Sequence, residues 1–504
     1  EQVEALIAKE VAGLAPAATP TPSLSLSIEQ VEALIAKEVA AAFAPTSTPT
    51  ATATPPPTVG IRPVIWRVEP EISVGNALIV HLQVETNVAT RLDIKYGNES
   101  SGWYEAPTSD KVLRVHERQL ISLKADKEYQ YLVTATGSDG QKSRAIRGTF
   151  ITGTLPEDLA ALQLEAEGTP TFRLVLADYT TDSSSGLLVT DGDGDIVWYM
   201  DWSGLSEDAI VGPVIQREDY SLVAIPHRVG LVEFSPSGEV GRKVLNSENG
   251  YFHHDLREAA DGSLLTMADV TVEMDLTRLG LGESELVAVP AIRRVDFETG
   301  RDEAVWNALD HLDISEYNAQ RFDPWSLTGN GRDWLHVNTL SIGIRGNYLL
   351  SSPNLSTIYS IDAITGEIQW RLGGEDSDFD FVDESDRFYF QHTSYELPNG
   401  NVLLFDNGGD DTLFVVRPEQ YGKFSRGLEL ELDYETMTVR KVWEYRHRPD
   451  HVSATISSVQ RLPSGHTLVN FGRKPVTLVE ADEEGNMVWA LTDTSPSMGY
   501  QLRY

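Results

Sequence analysis

The chain has no cysteine in 504 residues, which excludes disulfides, Cys-ligated zinc and thiol catalysis and leaves packing as the source of stability. Positive charge is scarce: 40 Lys and Arg stand against 76 Asp and Glu, a formal charge of −36. Such a field disfavours a nucleic-acid backbone or an anionic membrane surface as partner. No run of 18 apolar residues exists for a transmembrane segment, and no basic stretch followed by an apolar one opens the chain. Because residue 1 is Glu rather than Met, the expectation is a mature secreted or cell-surface form whose signal peptide has already been removed. What is present, 41% hydrophobic residues over this length, suffices for two or three domains and at least one full core.

Three regions follow from the changes in pattern. In residues 1–58 the twelve residues Glu1 to Ala12 return unchanged as Glu29 to Ala40, each copy reading as a short amphipathic helix with Val31, Leu34, Ile35 and Val39 on one stripe. A helix of about twelve residues is marginal alone in water, so this stripe calls for a partner surface. Thr19 to Pro22 and Pro45 to Thr58 are Thr/Pro-rich, as in extended stalks that carry O-glycans. The expectation for the arm is self-association, as in a filament, with a flexible tether as the alternative.

Residues 59–155 change to period-two alternation in Leu78 to Val84, Arg91 to Lys95 and Tyr129 to Ala135, the pattern of a small β-sandwich. Leu123 to Tyr129 followed by Tyr131 resembles the late strands of fibronectin III-like domains, in which a Tyr seals one corner.

Residues 156–504 repeat two kinds of hairpin. One places Gly before an apolar strand, as at Gly262, Gly346, Gly400 and Gly465; the other ends a strand in Trp, as at Trp198, Trp306, Trp370, Trp443 and Trp489. Two hairpins supply the four strands of one propeller blade, and the count predicts six blades, starting near Phe172, Gly212, Phe252, Trp334, Tyr389 and His451. The second blade carries Ser237-Gly-Glu without the Trp, and Thr271 to Val289 and Ala308 to Asp333 read as long inserted loops. Asp191-Gly-Asp-Gly-Asp195 has the look of a calcium loop, but its twelfth position is Trp202, so it reads as a hairpin turn. The fold class expected is therefore all-β: a six-bladed β-propeller behind a small β-sandwich and an arm with short helices.

Histidines recur at one register. His254 precedes Gly262 by eight residues, His392 precedes Gly400 by eight, and His336 precedes Gly346 by ten. Each falls at the entrance of a strand that would line a central channel, where residues far apart in sequence converge. One such His is commonly structural; the repetition is what marks a candidate site.

The same stretches carry a resemblance to a family. Phe252-His-His-Asp-Leu256, Asp333-Trp-Leu-His-Val-Asn338, Asn354 to Asp362 with Trp370 to Gly374, Phe390-Gln-His392 with Leu397 to Gly408, and Ser458 to Pro463 resemble the bacterial arylsulfotransferases over most of residues 156–504. The resemblance implies transfer of a sulfuryl group from an aryl sulfate donor to a phenolic acceptor by a ping-pong route, with no cofactor and no metal. His392 matches the family nucleophile, an imidazole that can attack sulfur and later depart. His336, Asn338 and His254 then donate hydrogen bonds or partial charge to the sulfuryl oxygens.

One position departs from the family. Where it has Arg after the paired serines, Ser351-Ser352 leads into Pro353, and the Asp that often follows the nucleophile is Thr393. Loss of a charge-assisted contact costs transition-state stabilisation; Arg473 and Arg228, beside His227, are the candidate replacements. Two further readings stand beside the enzyme: a non-catalytic surface or fibre-forming subunit with a degenerate site, and a sugar-binding propeller. Asn98-Glu-Ser100 and Asn354-Leu-Ser356 are glycosylation sequons.

Overall fold

Period-two alternation bounded by Gly- and Asp-rich turns governs the whole of this part of the chain, and the outcome is all-β. The computed structural model describes residues 61–504 apart from 100–101, 108–110, 182, 203, 206–211, 218–220, 227, 236, 248–249, 318–330, 409–423, 473–474 and 496–504. The repeated helices and Thr/Pro stretches of the arm lie outside the described residues, as does Arg473.

The first sheet-forming region is organised by one strand. Val80 to Val84 and Arg91 to Lys95 belong not to two strands but to the single strand Val80–Asn98, with Leu78 and Ile79 just before it; the intervening Thr86-Asn-Val-Ala89 lacks the Gly or Pro that would reverse the chain. Its first half pairs with Ile65–Ile72 and Leu113–Leu120, its second half with Glu128–Gly137 and Gly102–Glu105. The register shift between Glu85 and Thr90 separates the two halves. Val80, Leu82 and Val84 from one half and Leu92, Ile94 and Tyr96 from the other bury their side chains in one core with Tyr129, Tyr131 and Phe150. The Tyr129 hydroxyl accepts from the Lys124 backbone N–H at 2.9 Å, fixing the bend that precedes its strand.

Among the described residues six further sheets follow in sequence, antiparallel except for two short parallel pairings, Val287 and Ala288 with Arg332 and Asp333, and Asp380 and Phe381 with Thr438 and Val439. The first comprises Leu174–Thr180, Ser185–Asp191 and Ile196–Asp201; the second runs from Val214–Gln216 to Val240–Leu245. The third is built on Tyr251–Glu258, Leu264–Met274, Glu285–Asp296 and Arg301–Asn307. The fourth runs from Thr339–Ile342 to Ile368–Gly373, the fifth from His392–Glu396 to Thr438–Tyr445, and the sixth from Ser458–Arg461 to Met487–Asp493. Thr271 to Val289, expected as a loop, is mostly strand: Val270 pairs with Val289 and Met274 with Glu285. The alternation in Val270-Thr-Val-Glu-Met274 carries the hairpin outward, and only its tip, around Thr277–Leu279, is irregular.

The beginning and end of this region meet. Leu164–Gly168, which precedes the first sheet, pairs with Met487–Asp493 of the sixth. Thr171 binds the buried Glu480 carboxylate through its N–H and its hydroxyl, at 2.8 and 2.5 Å. The strand-ending tryptophans join successive sheets. The Trp306 indole N–H donates to Gly366 O in the fourth sheet (3.1 Å), Trp443 to Asp482 O in the sixth (3.0 Å), and Trp489 to Gly192 O in the first (2.8 Å). A large apolar ring with one donor suits this position, since it fills the seam and its N–H meets a carbonyl left over by a turn.

Asp191-Gly-Asp-Gly-Asp195 is a hairpin turn: Asp191 N–H donates to Asp195 O at 3.0 Å and Gly194 N–H to Asp191 O at 3.0 Å. Its carboxylates converge on the ammonium of Lys124, 2.8 Å from Asp191 and 2.5 Å from Asp195. Burial pushes that lysine down, but its hydrogen bonds to Asp191 and Asp195 more than reverse this and hold it above the ordinary lysine range. The cation in this acidic turn is thus supplied by the chain itself.

Candidate active site

The entrances of the first strands of the third to sixth sheets are not regular. His254, His336, Phe390, Thr393, Ile456 and Ser457 have φ of 58°, 47°, 55°, 47°, 64° and 84°, the left-handed region that non-glycine residues avoid at a cost of order 1–3 kcal/mol each. Thr393 and Ile456, being β-branched, are the costliest kind. In the third and fifth sheets the ladder breaks at the same place, between His253 and Leu256 and between His392 and Tyr395. These bulges turn side chains out of the strand plane and toward one cavity.

That cavity measures about 480 Å³ and is lined by His254, Asn338 and His392 together with Arg257, Arg461, Tyr395 and the strands that carry them. Pairing corrects the register read from spacing. His253, not His254, faces Met267 across the ladder as His392 faces Phe405, because the bulge in the third sheet holds one residue more. In the fourth sheet it is Thr339 that occupies the first paired position, opposite Ser351. His336 lies before the strand, and its ring sits 5.1 Å from that of His254, centroid to centroid. Convergence on the cavity, not register, joins His254 and His392; His336 does not line the cavity and is joined to it through the His254 ring.

His392 is 9% exposed, and its Nδ1 is held by Asn407 Oδ1 at 2.7 Å and Phe390 O at 3.1 Å. The Asn407 amide has only one possible orientation, because its Nδ2 lies between Ser453 O (2.6 Å) and Ile456 O (2.9 Å) and must donate to both. Oδ1 therefore faces the ring and Nδ1 carries a proton, so in the neutral ring the lone pair is on Nε2. Ser425 Oγ donates to Asn407 O at 2.6 Å and accepts from Ser453 N–H at 2.8 Å, locking the same turn.

His336 donates from Nδ1 to Asp333 Oδ2 at 2.7 Å, while its backbone N–H binds Oδ1 at 2.7 Å. Asn338 donates from Nδ2 to Gln391 O at 2.8 Å, tying the fourth sheet to the residue next to His392. Gln391 Nε2 returns the tie, reaching Ser351 Oγ, Ser352 O and Thr357 O at 3.0 to 3.2 Å. Burial pushes the Tyr395 phenol above its ordinary range; its oxygen accepts from Arg461 N–H at 2.7 Å.

Of the two expected cations, Arg473 lies outside the described residues, while Arg228 is exposed, does not line the cavity and has Tyr251 as its neighbour. Among the described residues the lining cations are Arg257, 3.1 Å from Asp255 Oδ2, and Arg461, whose guanidinium pairs with Glu429 at 2.5 Å and donates to Gly465 O at 3.3 Å while its Nε is buried with no hydrogen-bond partner. Pro353 is buried in the turn between Tyr348–Ser352 and Thr357–Ile361 and contributes nothing to the lining. Sequence reasoning missed Asn407 and Arg461. Asn407 sat in a quoted motif, but a buried amide that orients a ring fifteen residues away leaves no spacing signature.

A sequence model of the arylsulfotransferase (ASST) family matches residues 161–500. The chain belongs to the arylsulfotransferase family. No curated protein matches it. Among solved structures, one similar chain is a protein of unknown function from Bacteroides caccae, 14% identical over 66% of this chain and 98% of that one, with a TM-score of 0.41. Another is a catalytically inactive virginiamycin B lyase from Staphylococcus aureus with quinupristin, 8% identical over 68% and 100%, TM-score 0.36. At these scores neither likeness carries an argument about this arylsulfotransferase-family chain.

Proposed function

We propose that the protein transfers a sulfuryl group from an aryl sulfate to a phenol through a sulfated His392. The observation that carries this reading is the tautomer: Asn407 fixes the proton on Nδ1, so Nε2 is a neutral nucleophile beside the cavity. Attack forms the N–S bond as the S–O bond to the donor breaks, its electron pair leaving with the aryl oxygen. A phenol oxygen then attacks sulfur and the N–S pair returns to Nε2. Asn338, with one amide hydrogen beyond its bond to Gln391 O, donates to a sulfuryl oxygen, His254 stands beside the reacting oxygens with His336 behind it, and Arg461 or Arg257 supplies the charge that Pro353 does not. Left-handed backbone at four sheet entrances supports the reading, since such strain is retained where geometry is over-determined for chemistry.

In the same reading the six sheets are the blades of a six-bladed propeller. The Leu164–Gly168 strand and the Trp489 bond to Gly192 support it by linking the sixth to the first, and the Tyr129 bond supports a fibronectin III-like sandwich before it. A non-catalytic subunit is the second reading, favoured by Pro353. The test is transfer from p-nitrophenyl sulfate to phenol by the native protein and by His392→Ala. Native turnover that the variant loses establishes the transferase; a folded native protein inert with several phenols establishes the second reading.

A further inference from the structure

The transferase reading moves a proton as well as a sulfuryl group. A phenol must lose its proton as its oxygen attacks sulfur, and a basic phenolate leaving the donor must gain one. His392 serves neither need, because its Nδ1 proton is committed to Asn407 and its Nε2 holds the sulfur.

His254 lines the same cavity. Its Nδ1 is 2.7 Å from His253 Nδ1, so one of the two carries a proton and the other accepts it. The arrangement behind His253 decides which. His253 is 4% exposed, and its Nε2 lies 3.2 Å from Oδ1 of Asp269, which is 5% exposed. The angle there is oblique, short of a well-aligned hydrogen bond, yet a buried carboxylate at that distance still favours a proton on the nearer ring nitrogen. With the proton on Nε2, neutral His253 presents a lone pair at Nδ1. His254 must then carry its own proton on Nδ1, leaving Nε2 as the nitrogen that exchanges protons. Two other groups near His254 are placed differently: His336, held through Nδ1 by Asp333, is not among the residues that line the cavity, and Asp255 pairs with Arg257.

We infer that Asp269 and His253 are positioning residues that make His254 the proton carrier of the transfer. The inference rests on the transferase reading. In the first half-reaction, protonated His254 gives its Nε2 proton to the departing phenolate as the S–O bond breaks. In the second, neutral His254 takes the proton of the acceptor phenol as the N–S bond breaks, which restores both histidines. The Nδ1 proton of His254 stays on its bond to His253 throughout.

The test compares two donors. Phenyl sulfate leaves as a phenolate about as basic as tyrosinate, pKa about 10, and needs the proton; p-nitrophenyl sulfate leaves as a weakly basic phenolate and needs it less. In Asp269→Asn and in His253→Gln, single-turnover sulfation by phenyl sulfate is expected to fall about 100-fold, at least tenfold more than sulfation by p-nitrophenyl sulfate. Equal slowing of the two donors would mean a merely structural pair and overturn the inference. The ¹⁵N-histidine spectrum of the native protein supplies a check independent of turnover: a neutral His254 protonated on Nε2 overturns the relay even in an active enzyme. An inert native protein whose His254 is protonated on Nδ1 would instead overturn the transferase reading and the relay's catalytic role with it.

Discussion

Asn407→Ala removes three hydrogen bonds at once, those to His392 Nδ1, Ser453 O and Ile456 O. Each contributes about 1 kcal/mol net, and buried partners left unpaired raise the cost, so a stability loss of about 3–5 kcal/mol is expected. The kinetic effect is separate. Without Oδ1, Phe390 O at 3.1 Å remains as an acceptor for Nδ1, and the ring is free to rotate or to move its proton to Nε2, which removes the nucleophile. Loss of a group that orients a reacting histidine costs about 10–100-fold. Asn407→Asp separates the two effects: a carboxylate beside Nδ1–H favours the imidazolium, so the acid limb of the pH–rate profile moves to higher pH. The assay is the pre-steady-state release of p-nitrophenolate across pH, with folding checked by thermal melting. A native-like burst rate in a destabilised Asn407→Ala, with the acid limb of Asn407→Asp unmoved, would refute the tautomer argument.

Other outcomes follow from single contacts. Arg461→Met should raise KM for aryl sulfates at least about tenfold, the scale of one charge-assisted contact, whereas Arg228→Met, away from the cavity, should leave steady-state kinetics unchanged; equal effects would reassign the cation. Trp489→Phe deletes the N–H bond to Gly192 O and part of a fully buried ring system, and chemical denaturation should register a loss of about 2–4 kcal/mol. Burial alone would raise the Glu444 carboxyl, but Lys441 and Arg426 hold it below the usual range. Its stabilising contribution is therefore full above the unfolded value of about 4.3 and lost as pH falls through the lower folded value. Melting curves of Glu444→Gln should be less stable near neutrality and flatter in acid than the native protein's.

The strand-forming content of this protein was legible because it rests on local rules. Alternation with Gly- and Asp-rich turns marked most hairpins, and the expected starts near Gly212, Phe252 and Tyr389 fall within three residues of strands beginning at Val214, Tyr251 and His392. The same rule, applied to Val270 to Met274, would have shown the outward hairpin, but its polar positions resembled a loop. Two expected strands merged into Val80–Asn98 because strand ends are set by turn chemistry, and none lay between them.

His254, Asn338 and His392 could be named from the sequence because motif and repeat placed them at strand entrances, where a shared cavity collects them. What the sequence could not determine is everything that depends on orientation: the bulge that puts His253 and not His254 opposite its ladder partner, and the Asn407 amide that decides which nitrogen of the neutral His392 ring carries the proton. Composition and periodicity dictate which residues are buried and which alternate, since burial and pairing are set residue by residue. Protonation and aim are decided by partners tens or hundreds of residues away, and only the tertiary structure brings those partners within hydrogen-bonding distance.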